Sequence, residues 1–402
     1  MVSGRPPASV QAFEFATAQR IVFGDGRAEE LGHIAASLCG EGKKRRAFMV
    51  TGRRALTEAG VVDRLMRVLS ESGFAVTTFP VPGEPTVSLV DGALEEAKAV
   101  APSLVVALGG GSVLDTGKAV AVLLTNGGTT IDYLEGVGSG RTVENPAIPL
   151  IAMPTTAGTG SEATKNAVIG ADDGSFKKSV RSDHLLPRVA LVDPTLTHTA
   201  PPEVTAFSGL DALTQLVESY SSNRASVMTD ALAESGIRLA ARCLVRAYER
   251  PADASARAGM ALAALFGGIC LANAGLGAAH GIVSPLGAHY PVPHGAGCAA
   301  LLPHVVEMNI RRLREEDPNH PTLPKYRRIG EIFAPESKDP LRELPRVLRE
   351  LVVRLRVPGL ASWGLSTSGI PAVVKGSRGS SMGYNPIVLS DDDLTTILEA
   401  AM

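Results

Sequence analysis

The stretch SLVVALGGGSVLDTGKAVAVLL, residues 103–124, decides the fold of the N-terminal half of this chain. Five apolar residues without alternation indicate a strand buried on both faces, and three glycines and a helical pattern follow them directly. Backbone N–H groups at the start of such a helix suit a pyrophosphate. The order of strand, glycine turn and helix therefore predicts an α/β nucleotide-binding unit, although the glycines alone are also compatible with a plain tight turn.

The same alternation of buried strand and helix extends over the chain up to about residue 195. Other short apolar runs are RAFMVTG (46–52), FAVTTFPV (74–81), IPLIAMP (148–154) and VALVDP (189–194). Strands of this kind with helices between them predict a parallel sheet with right-handed crossovers. After Pro201 and Pro202 the sequence is rich in Ala, Leu and Arg at helical spacing. We therefore predict an α/β domain over residues 1–200 and an all-α domain over residues 201–402.

Composition narrows the class of partner. A chain of 402 residues is long enough for two cores, and its net charge of -2 gives no long-range attraction to nucleic acid or an anionic membrane. The four cysteines show no close ligand spacing, which indicates a reducing compartment. No signal-peptide pattern and no run near ~18 uninterrupted apolar residues is present. We expect a cytoplasmic protein that acts on a small molecule.

The first glycine loop offers a set of candidate cofactor contacts. Gly109, Gly110 and Gly111 let the backbone approach phosphates without Cβ clashes. Ser112 is expected to cap the following helix, and Asp115 and Lys118 to lie in its first turns. These residues predict a phosphate-binding edge of the sheet.

A second loop, within IPLIAMPTTAGTGSEATKNAVI (148–169), follows another buried strand. It carries many short hydroxyl and backbone donors suited to ribose, phosphate or carboxamide groups. The residues concerned are Thr155, Thr156, Gly158, Thr159 and Ser161. Because parallel strands end at the same edge of a sheet, we expect both loops to face one ligand.

Candidate metal ligands occur only in the second half. In GLDALTQLVESYSS (209–222), Asp211 and Gln215 are four residues apart and share one face of a helix. In NAGLGAAHGIVSPLGAHYPVPHGAGCAALLPH (273–304), His280 shares a helical face with Ser284, and His294 follows 14 residues after His280. Single histidines are more often structural, but these residues together could complete a four-point cluster.

The combined motifs resemble the iron-containing (group III) alcohol dehydrogenases, related in fold to glycerol dehydrogenase and dehydroquinate synthase. The resemblance rests, in order, on GGGSVLDTGKAVA, PTTAGTGSEAT, VDPTLT, GLDALTQLVE and NAGLGAAHGIVSPLGAHYPVPHG, and it runs from about residue 15 to GYNPIVLSDDDLTTILEAA (383–401). It implies a cofactor, NADP or NAD, in the cleft between the two domains. It also implies hydride transfer between the nicotinamide and a small alcohol or aldehyde. The predicted cofactor contacts further include Lys178, and we expect a homo-oligomer, most simply a dimer.

The metal pattern of the family falls on Asp211, Gln215, His280 and His294. Typical members have His at position 215, where this chain reads DALTQ, and often a second His at the position of Ser284. An amide is a weaker donor than imidazole, so we expect weak binding of Fe²⁺ or Zn²⁺, which Gln215→His would strengthen.

Several alternatives to a metal-assisted dehydrogenase stay open. In a metal-free site, His280, His294 and Gln215 would act as catalytic hydrogen-bond donors to the substrate oxygen. Such a site suits reduction of an activated keto compound, as in maleylacetate reductases. A lyase of the dehydroquinate synthase type and a nucleotide-binding pseudoenzyme are the remaining possibilities.

Two further expectations concern the cofactor and its position. In VTGRRAL (50–56), Gly52 stands where the family can have an acidic residue, and Arg53 and Arg54 follow. Loss of the carboxylate and gain of guanidinium groups favour a 2′-phosphate, so we expect NADP(H) to bind at least as well as NAD(H). The reactive centre is expected between the PTTAGTGSE loop and the residues Asp211, His280 and His294.

Overall fold

The computed structural model describes residues 12–40, 45–379 and 381–402. In these ranges the chain forms eight β-strands and fourteen α-helices. The strands are β1 (Arg20–Phe23), β2 (Arg46–Gly52), β3 (Ala75–Val81), β4 (Leu104–Gly109), β5 (Leu150–Pro154), β6 (Asn166–Gly170), β7 (Lys177–Arg181) and β8 (Val189–Val192). The helices are α1 (Leu31–Cys39), α2 (Ala55–Glu58), α3 (Val61–Glu71), α4 (Val87–Val100), α5 (Gly111–Asn126), α6 (Pro202–Ser221), α7 (Val227–Glu249), α8 (Ala254–Ala274), α9 (Ala278–His289), α10 (His294–Glu316), α11 (Thr322–Phe333), α12 (Pro340–Arg354), α13 (Ile370–Gly376) and α14 (Asp391–Ala400).

Six strands form one parallel sheet in the order β1-β8-β5-β4-β2-β3. The chain passes from β2 to its neighbour β3, then returns across β2 to β4 and continues outward to β5. The order therefore reverses between β2 and β4, and ligands of open α/β sheets bind in the crevice beside such a point. Thr51 pairs with Leu108 and Gly109 pairs with Pro154, so β2, β4 and β5 end side by side. The predicted parallel α/β sheet is confirmed.

Helices cover both faces of this sheet. Met49 of β2 packs in one core with residues of α1 and α3, whereas its neighbour Phe48 packs in another with residues of α4 and α5. All six residues of β4 are buried. Burial on both faces removes the need for a polar face, which explains why the strand sequences show no alternation.

An antiparallel hairpin of β6 and β7 was not predicted from the sequence. Each strand has only five residues, some of them polar, so neither contains an apolar run long enough to predict a strand. A long-range contact helps to fix it, because Asp115 on α5 accepts a hydrogen bond of 2.9 Å from the backbone N–H of Val168. A sequence pattern contains no information about such a contact.

The second half is helical, as predicted, and the predicted division at residue 200 lies between β8 and α6. Helices α6, α7 and α8 pack around one apolar core, and α9, α10, α13 and α14 pack around another. In the described ranges, α8 is the one helix long and apolar enough to cross a membrane, yet 61% of that apolar window is buried inside the protein. Core helices of globular domains have the same properties.

The two halves meet where the loop after β5 lies on α8. Gly160 in this loop has a positive φ of 60°, and a Cβ built on Gly268 of α8 would lie 2.1 Å from the carbonyl oxygen of Gly160. A Cβ built on Gly160 would lie 2.5 Å from the carbonyl oxygen of Ala264. Two glycines facing each other therefore permit a backbone contact that no other residue pair would allow.

This contact predicts that Gly268→Ala destabilises the protein. Alanine improves the intrinsic helix propensity by about 1 kcal/mol, but the overpacked contact with Gly160 costs about 1–3 kcal/mol. The matched control is Gly92→Ala in α4, where a Cβ meets nothing within 4 Å. Urea denaturation should show a lower midpoint for Gly268→Ala and an equal or higher midpoint for Gly92→Ala. Equal stabilisation by both substitutions would contradict the close contact.

Candidate active site

Two loops at the carboxyl edge of the sheet form the predicted cofactor side. Helix α5 begins at Gly111, Gly110 is its N-cap residue, and no side chain caps the first turn. The prediction that Ser112 caps this helix is wrong, because Ser112 is already its second residue. A Cβ on Gly111 would lie 2.7 Å from the Thr159 side chain, and one on Gly110 would lie 3.4 Å from Thr156 Oγ1. The glycines thus let the second loop lie directly against the first.

A buried ion pair fixes the second loop on α5. Lys118 is fully buried and donates hydrogen bonds to the Ser161 carbonyl oxygen at 3.0 Å and to Thr164 Oγ1 at 2.9 Å. Asp115 Oδ1 lies 3.0 Å from Lys118 Nζ and accepts a hydrogen bond of 2.5 Å from Ser161 Oγ. Burial lowers the pKa of Lys118, and the charge of Asp115 opposes that effect. Asp115 and Ser161 therefore have a positioning role, and their direct contact with a cofactor stays a prediction, as it does for Thr155.

Gly52 and Arg53 lie beside this edge, at the end of β2. A Cβ on Gly52 would meet nothing within 4 Å, so space is open there, and Arg53 is exposed. Lys178 is also exposed, on β7, while its neighbour Lys177 forms an ion pair of 3.1 Å with Glu84. These positions leave the predicted cofactor contacts of all three residues untested.

Side chains from α6, α9 and α10 converge beside the second loop, which Gln215 of α6 contacts at Thr159. Asp211 Oδ1 lies 3.3 Å from His280 Nε2 and 3.7 Å from His294 Nε2. The same oxygen is buried and has no hydrogen bond of good geometry. An unsatisfied carboxylate oxygen beside two imidazole nitrogens is the arrangement that a cation would complete. The structure thus brings together three of the four predicted metal ligands.

Cys298 also belongs to this cluster, although it was not among the ligands predicted from the sequence. Its Sγ lies 3.6 Å from His280 Nε2 and 3.8 Å from His294 Nε2. One donor atom from each of Asp211, His280, His294 and Cys298 lies within 4.8 Å of all the others. Burial raises the pKa of the thiol to about 12, although the charge of His280 opposes this effect. The signal available in the sequence was its spacing of four residues from His294.

Glu218, a second residue that was missed, orients the His280 ring. Its Oε2 lies 2.5 Å from His280 Nδ1, and its Oε1 accepts a hydrogen bond of 2.6 Å from the backbone N–H of Ala279. A carboxylate only accepts, so Nδ1 carries a proton and Nε2 is directed at Asp211. Glu218 follows Asp211 by seven residues on one face of α6, which is the signal that could have identified it.

Gln215 links the second loop to the cluster. Its Nε2 donates to the Thr159 carbonyl oxygen at 3.2 Å and lies 3.5 Å from Asp211 Oδ2. Its Oε1 is buried without a hydrogen-bond partner, and a Cβ on Gly267 would lie 3.1 Å from it. The amide therefore directs its NH₂ group, not its oxygen, toward Asp211. Its predicted role as a metal ligand remains untested.

The charged groups of the cluster shift one another's pKa values and partly compensate one another. Burial alone would raise the pKa of Asp211, but the close approach of His280 Nε2 and the charges of both histidines hold it below its usual value. Burial lowers the pKa of His280, but Cys298, Glu218 and Asp211 outweigh it and raise that pKa well above the usual value. Burial lowers the pKa of His294. The two carboxylates thus require one positive charge between them, either a proton on His280 Nε2 or a metal cation.

Comparison with known proteins identifies the family. A family model described as iron-containing alcohol dehydrogenase matches residues 18–194, and one described as the C-terminal part of the Fe-containing alcohol dehydrogenase family matches residues 205–402. Alcohol dehydrogenase 4 of Saccharomyces cerevisiae is 33% identical over 94% of this chain and 96% of that protein. The probable alcohol dehydrogenase EutG of Escherichia coli is 35% identical over 86% of each chain.

Comparison with solved structures gives the same result. A crystal structure of 1,3-propanediol oxidoreductase matches with a TM-score of 0.89 and 29% identity over 98% of this chain and 100% of that chain. Sulfoacetaldehyde reductase from Bifidobacterium kashiwanohense, in complex with NAD+, matches with a TM-score of 0.85 and 29% identity over 97% of this chain and 99% of that chain. These likenesses do not favour the lyase or the maleylacetate reductase alternative. With its two-domain fold and the matching family models, the chain belongs to the iron-containing alcohol dehydrogenase family and is an oxidoreductase of alcohols or aldehydes.

Proposed function

We propose that this enzyme reduces small aldehydes with NADPH, and oxidises the alcohols with NADP+, at a metal centre in the cleft between its domains. The observation that carries the proposal is the buried, unsatisfied Asp211 Oδ1 beside His280 Nε2 and His294 Nε2. Carboxylate and imidazole donors are ligands of Fe²⁺ and Zn²⁺. The residues present therefore fit such an ion.

The loops after β2, β4 and β5 would hold the cofactor. The N-terminus of α5, free of a side-chain cap, offers backbone N–H groups to the pyrophosphate. Thr155, Thr156 and Thr159 offer short donors beside it, and the open space at Gly52 accommodates the adenosine ribose and its 2′-phosphate. The nicotinamide supplies or accepts the hydride when the cofactor is bound.

Asp211, His280 and His294 would hold the metal, which when bound polarises the substrate oxygen as a Lewis acid. The chain's own groups prepare that position. Glu218 keeps His280 Nδ1 occupied, so that Nε2 remains directed into the cleft. Gln215 holds Asp211 through Oδ2 and the second loop through Thr159, and so fixes the distance between the metal side and the cofactor side. About a third of the His294 side chain is exposed, on the side where a substrate can enter.

We also propose the class of binding partner, the cellular location and the oligomeric state. The charge of -2 supports an enzyme that binds neither nucleic acid nor membrane and acts in the cytoplasm. Phe13 precedes the edge strand β1 and Ile21 lies on it, and both are exposed apolar residues, which supports a dimer through this edge.

Analytical ultracentrifugation should show twice the mass of one chain, and Ile21→Lys should lower that mass. A monomeric unmodified protein would contradict the dimer.

The proposed reaction predicts activity that depends on a divalent metal. With NADPH and a panel of small aldehydes, cofactor absorbance should decrease, and dialysis against a chelator should lower the rate at least tenfold. Zn²⁺ or Fe²⁺ should restore it, except in Asp211→Asn, which loses one donor charge. The matched control is Asp63→Asn on the exposed face of α3. Full activity of the metal-free protein would favour the alternative in which His280, His294 and Gln215 bind the substrate oxygen by hydrogen bonds.

The arginine after β2 predicts the choice of cofactor. Removal of one charged contact to phosphate costs about 1.5–3 kcal/mol, so Arg53→Ala should weaken NADPH binding at least tenfold and leave NADH nearly unchanged. Gly52→Asp should shift the preference toward NADH, because a carboxylate repels the 2′-phosphate. Fluorescence titration with both reduced cofactors measures this, with Arg20→Ala on β1 as the control. A clear preference of the unmodified protein for NADH would overturn the prediction.

The hydrogen bond from His280 predicts that Glu218→Gln weakens metal binding. Loss of such a partner typically costs 10–100-fold in metal affinity or activity. Competition with a chromophoric chelator should show this loss for Zn²⁺. In the control Glu249→Gln, an exposed carboxylate paired with Arg354 is altered, and affinity should not change. If Glu218→Gln retained its Zn²⁺ affinity within twofold, Glu218 would have no role in orienting His280.

A further inference from the structure

We propose that Cys298, and not Gln215, is the fourth protein donor of the metal centre, which makes the donor set Asp211, His280, His294 and Cys298. The inference rests on the metal centre of the proposed function and names one of its ligands. The resemblance to the family assigns the fourth position to residue 215 and gives Cys298 no role. The contacts of the two side chains reverse that assignment.

The separations between the donor atoms match a tetrahedral site. Zinc bonds of about 2.0–2.1 Å to nitrogen or oxygen and about 2.3 Å to sulfur give donor-to-donor distances of about 3.3–3.6 Å. Cys298 Sγ lies 3.6 Å and 3.8 Å from the Nε2 atoms of His280 and His294. Asp211 Oδ1 lies 3.3 Å and 3.7 Å from the same two nitrogens. The other two separations are at most 4.8 Å. Movements of up to about an ångström would therefore complete the tetrahedron.

Local structure explains how Cys298 reaches the site. His294 begins α10, and Cys298 follows it by four residues, so both side chains lie on one face of that helix. Cys298 is fully buried. Cys243 and Cys270, in contrast, belong to the apolar core formed by α6, α7 and α8. Cys298 is thus a buried cysteine whose sulfur is directed at two imidazole nitrogens and a carboxylate.

Gln215 is not free to take the same role. Its NH₂ group has two acceptors, the Thr159 carbonyl oxygen and Asp211 Oδ2. Turning the amide by 180° would place its oxygen against both acceptors and would lose both hydrogen bonds. The amide therefore stays a donor to Asp211. The number of protein donors remains four, because the thiolate replaces the imidazole that typical members have at position 215.

A thiolate changes which ion the centre prefers. Soft thiolate ligands favour Zn²⁺, whereas carboxylate and water ligands suit Mg²⁺, Ca²⁺ and Mn²⁺. On binding, the thiol releases its proton to solvent and the thiolate donates an electron pair to the cation, so no oxidation or reduction occurs. We therefore expect Zn²⁺ to bind at one equivalent per chain and Co²⁺ to replace it as a spectroscopic probe.

The experiment is to load the whole protein with Co²⁺ and record its absorption spectrum. The unmodified protein should show a near-ultraviolet band from thiolate-to-cobalt charge transfer. Cys298→Ser should lose that band and bind Zn²⁺ at least tenfold more weakly. Gln215→Ala and the control Cys270→Ser should keep the band at full intensity. X-ray absorption of the zinc-loaded protein should show one sulfur neighbour at about 2.3 Å.

Two outcomes separate this inference from the function on which it rests. Binding of Co²⁺ without a thiolate band, or a zinc shell of only nitrogen and oxygen at about 2.0–2.1 Å, would overturn the role of Cys298 and leave the metal centre intact. Failure of the unmodified protein to bind Zn²⁺ or Co²⁺ at all would overturn the metal centre and the Cys298 assignment together. Retention of the band in Cys298→Ser would show that another group gives rise to it and would overturn the role of Cys298.

Discussion

The buried ammonium group of Lys118 fixes the loop through which the two halves of the candidate site contact each other. It holds the segment after Thr159 on α5 through the Ser161 carbonyl oxygen, Thr164 and Asp115. Removing one partner of such a buried pair costs about 3–5 kcal/mol, because the other charge is left without compensation. With this segment fixed, Thr159 meets Gln215 and Gly160 meets Gly268. The ion pair on α5 thereby supports two of the contacts between the two halves of the chain.

The candidate site is divided between the two halves of the chain, which also share an apolar core that includes Val192 of β8 and Leu265 of α8. The predicted cofactor loops come before residue 165, and the candidate metal donors come after residue 205. The hydrogen bond from Gln215 to the Thr159 carbonyl oxygen connects them directly. This explains the chemistry of position 215 better than a comparison of ligand strength does. The amide supplies a donor that joins the two halves, and the Cys298 sulfur on α10 lies beside both imidazole nitrogens.

The sequence predicts much of the fold and less of the site. Unalternating apolar runs identify β2, β4, β5 and β8, because a strand buried on both faces needs no polar face. The edge strand β3 was also predicted from its sequence, although most of its residues are only partly buried or exposed. The hairpin of β6 and β7 escapes, since Asp115 on α5 supports it through a long-range contact. Asp211, His280 and His294 come together as expected, because helical spacing and motif order both point to them. The orientation of the Gln215 amide depends on a carbonyl group 56 residues away, which local pattern cannot reveal. Cys298 and Glu218 were detectable at spacings of four and seven residues from recognised ligands.

Glu218 accepts hydrogen bonds from two groups at once, the first turn of α9 and the His280 ring. The equilibrium for local unfolding of α9 is therefore linked to the equilibrium for cation binding at His280. Any ion that binds only the folded arrangement adds its own free energy to the stability of that helix, by mass action. Amide hydrogens near Ala279 should then exchange more slowly as ion concentration rises. The dynamics of this helix and the occupancy of the proposed centre would then be coupled, so that a substitution at Glu218 would alter both.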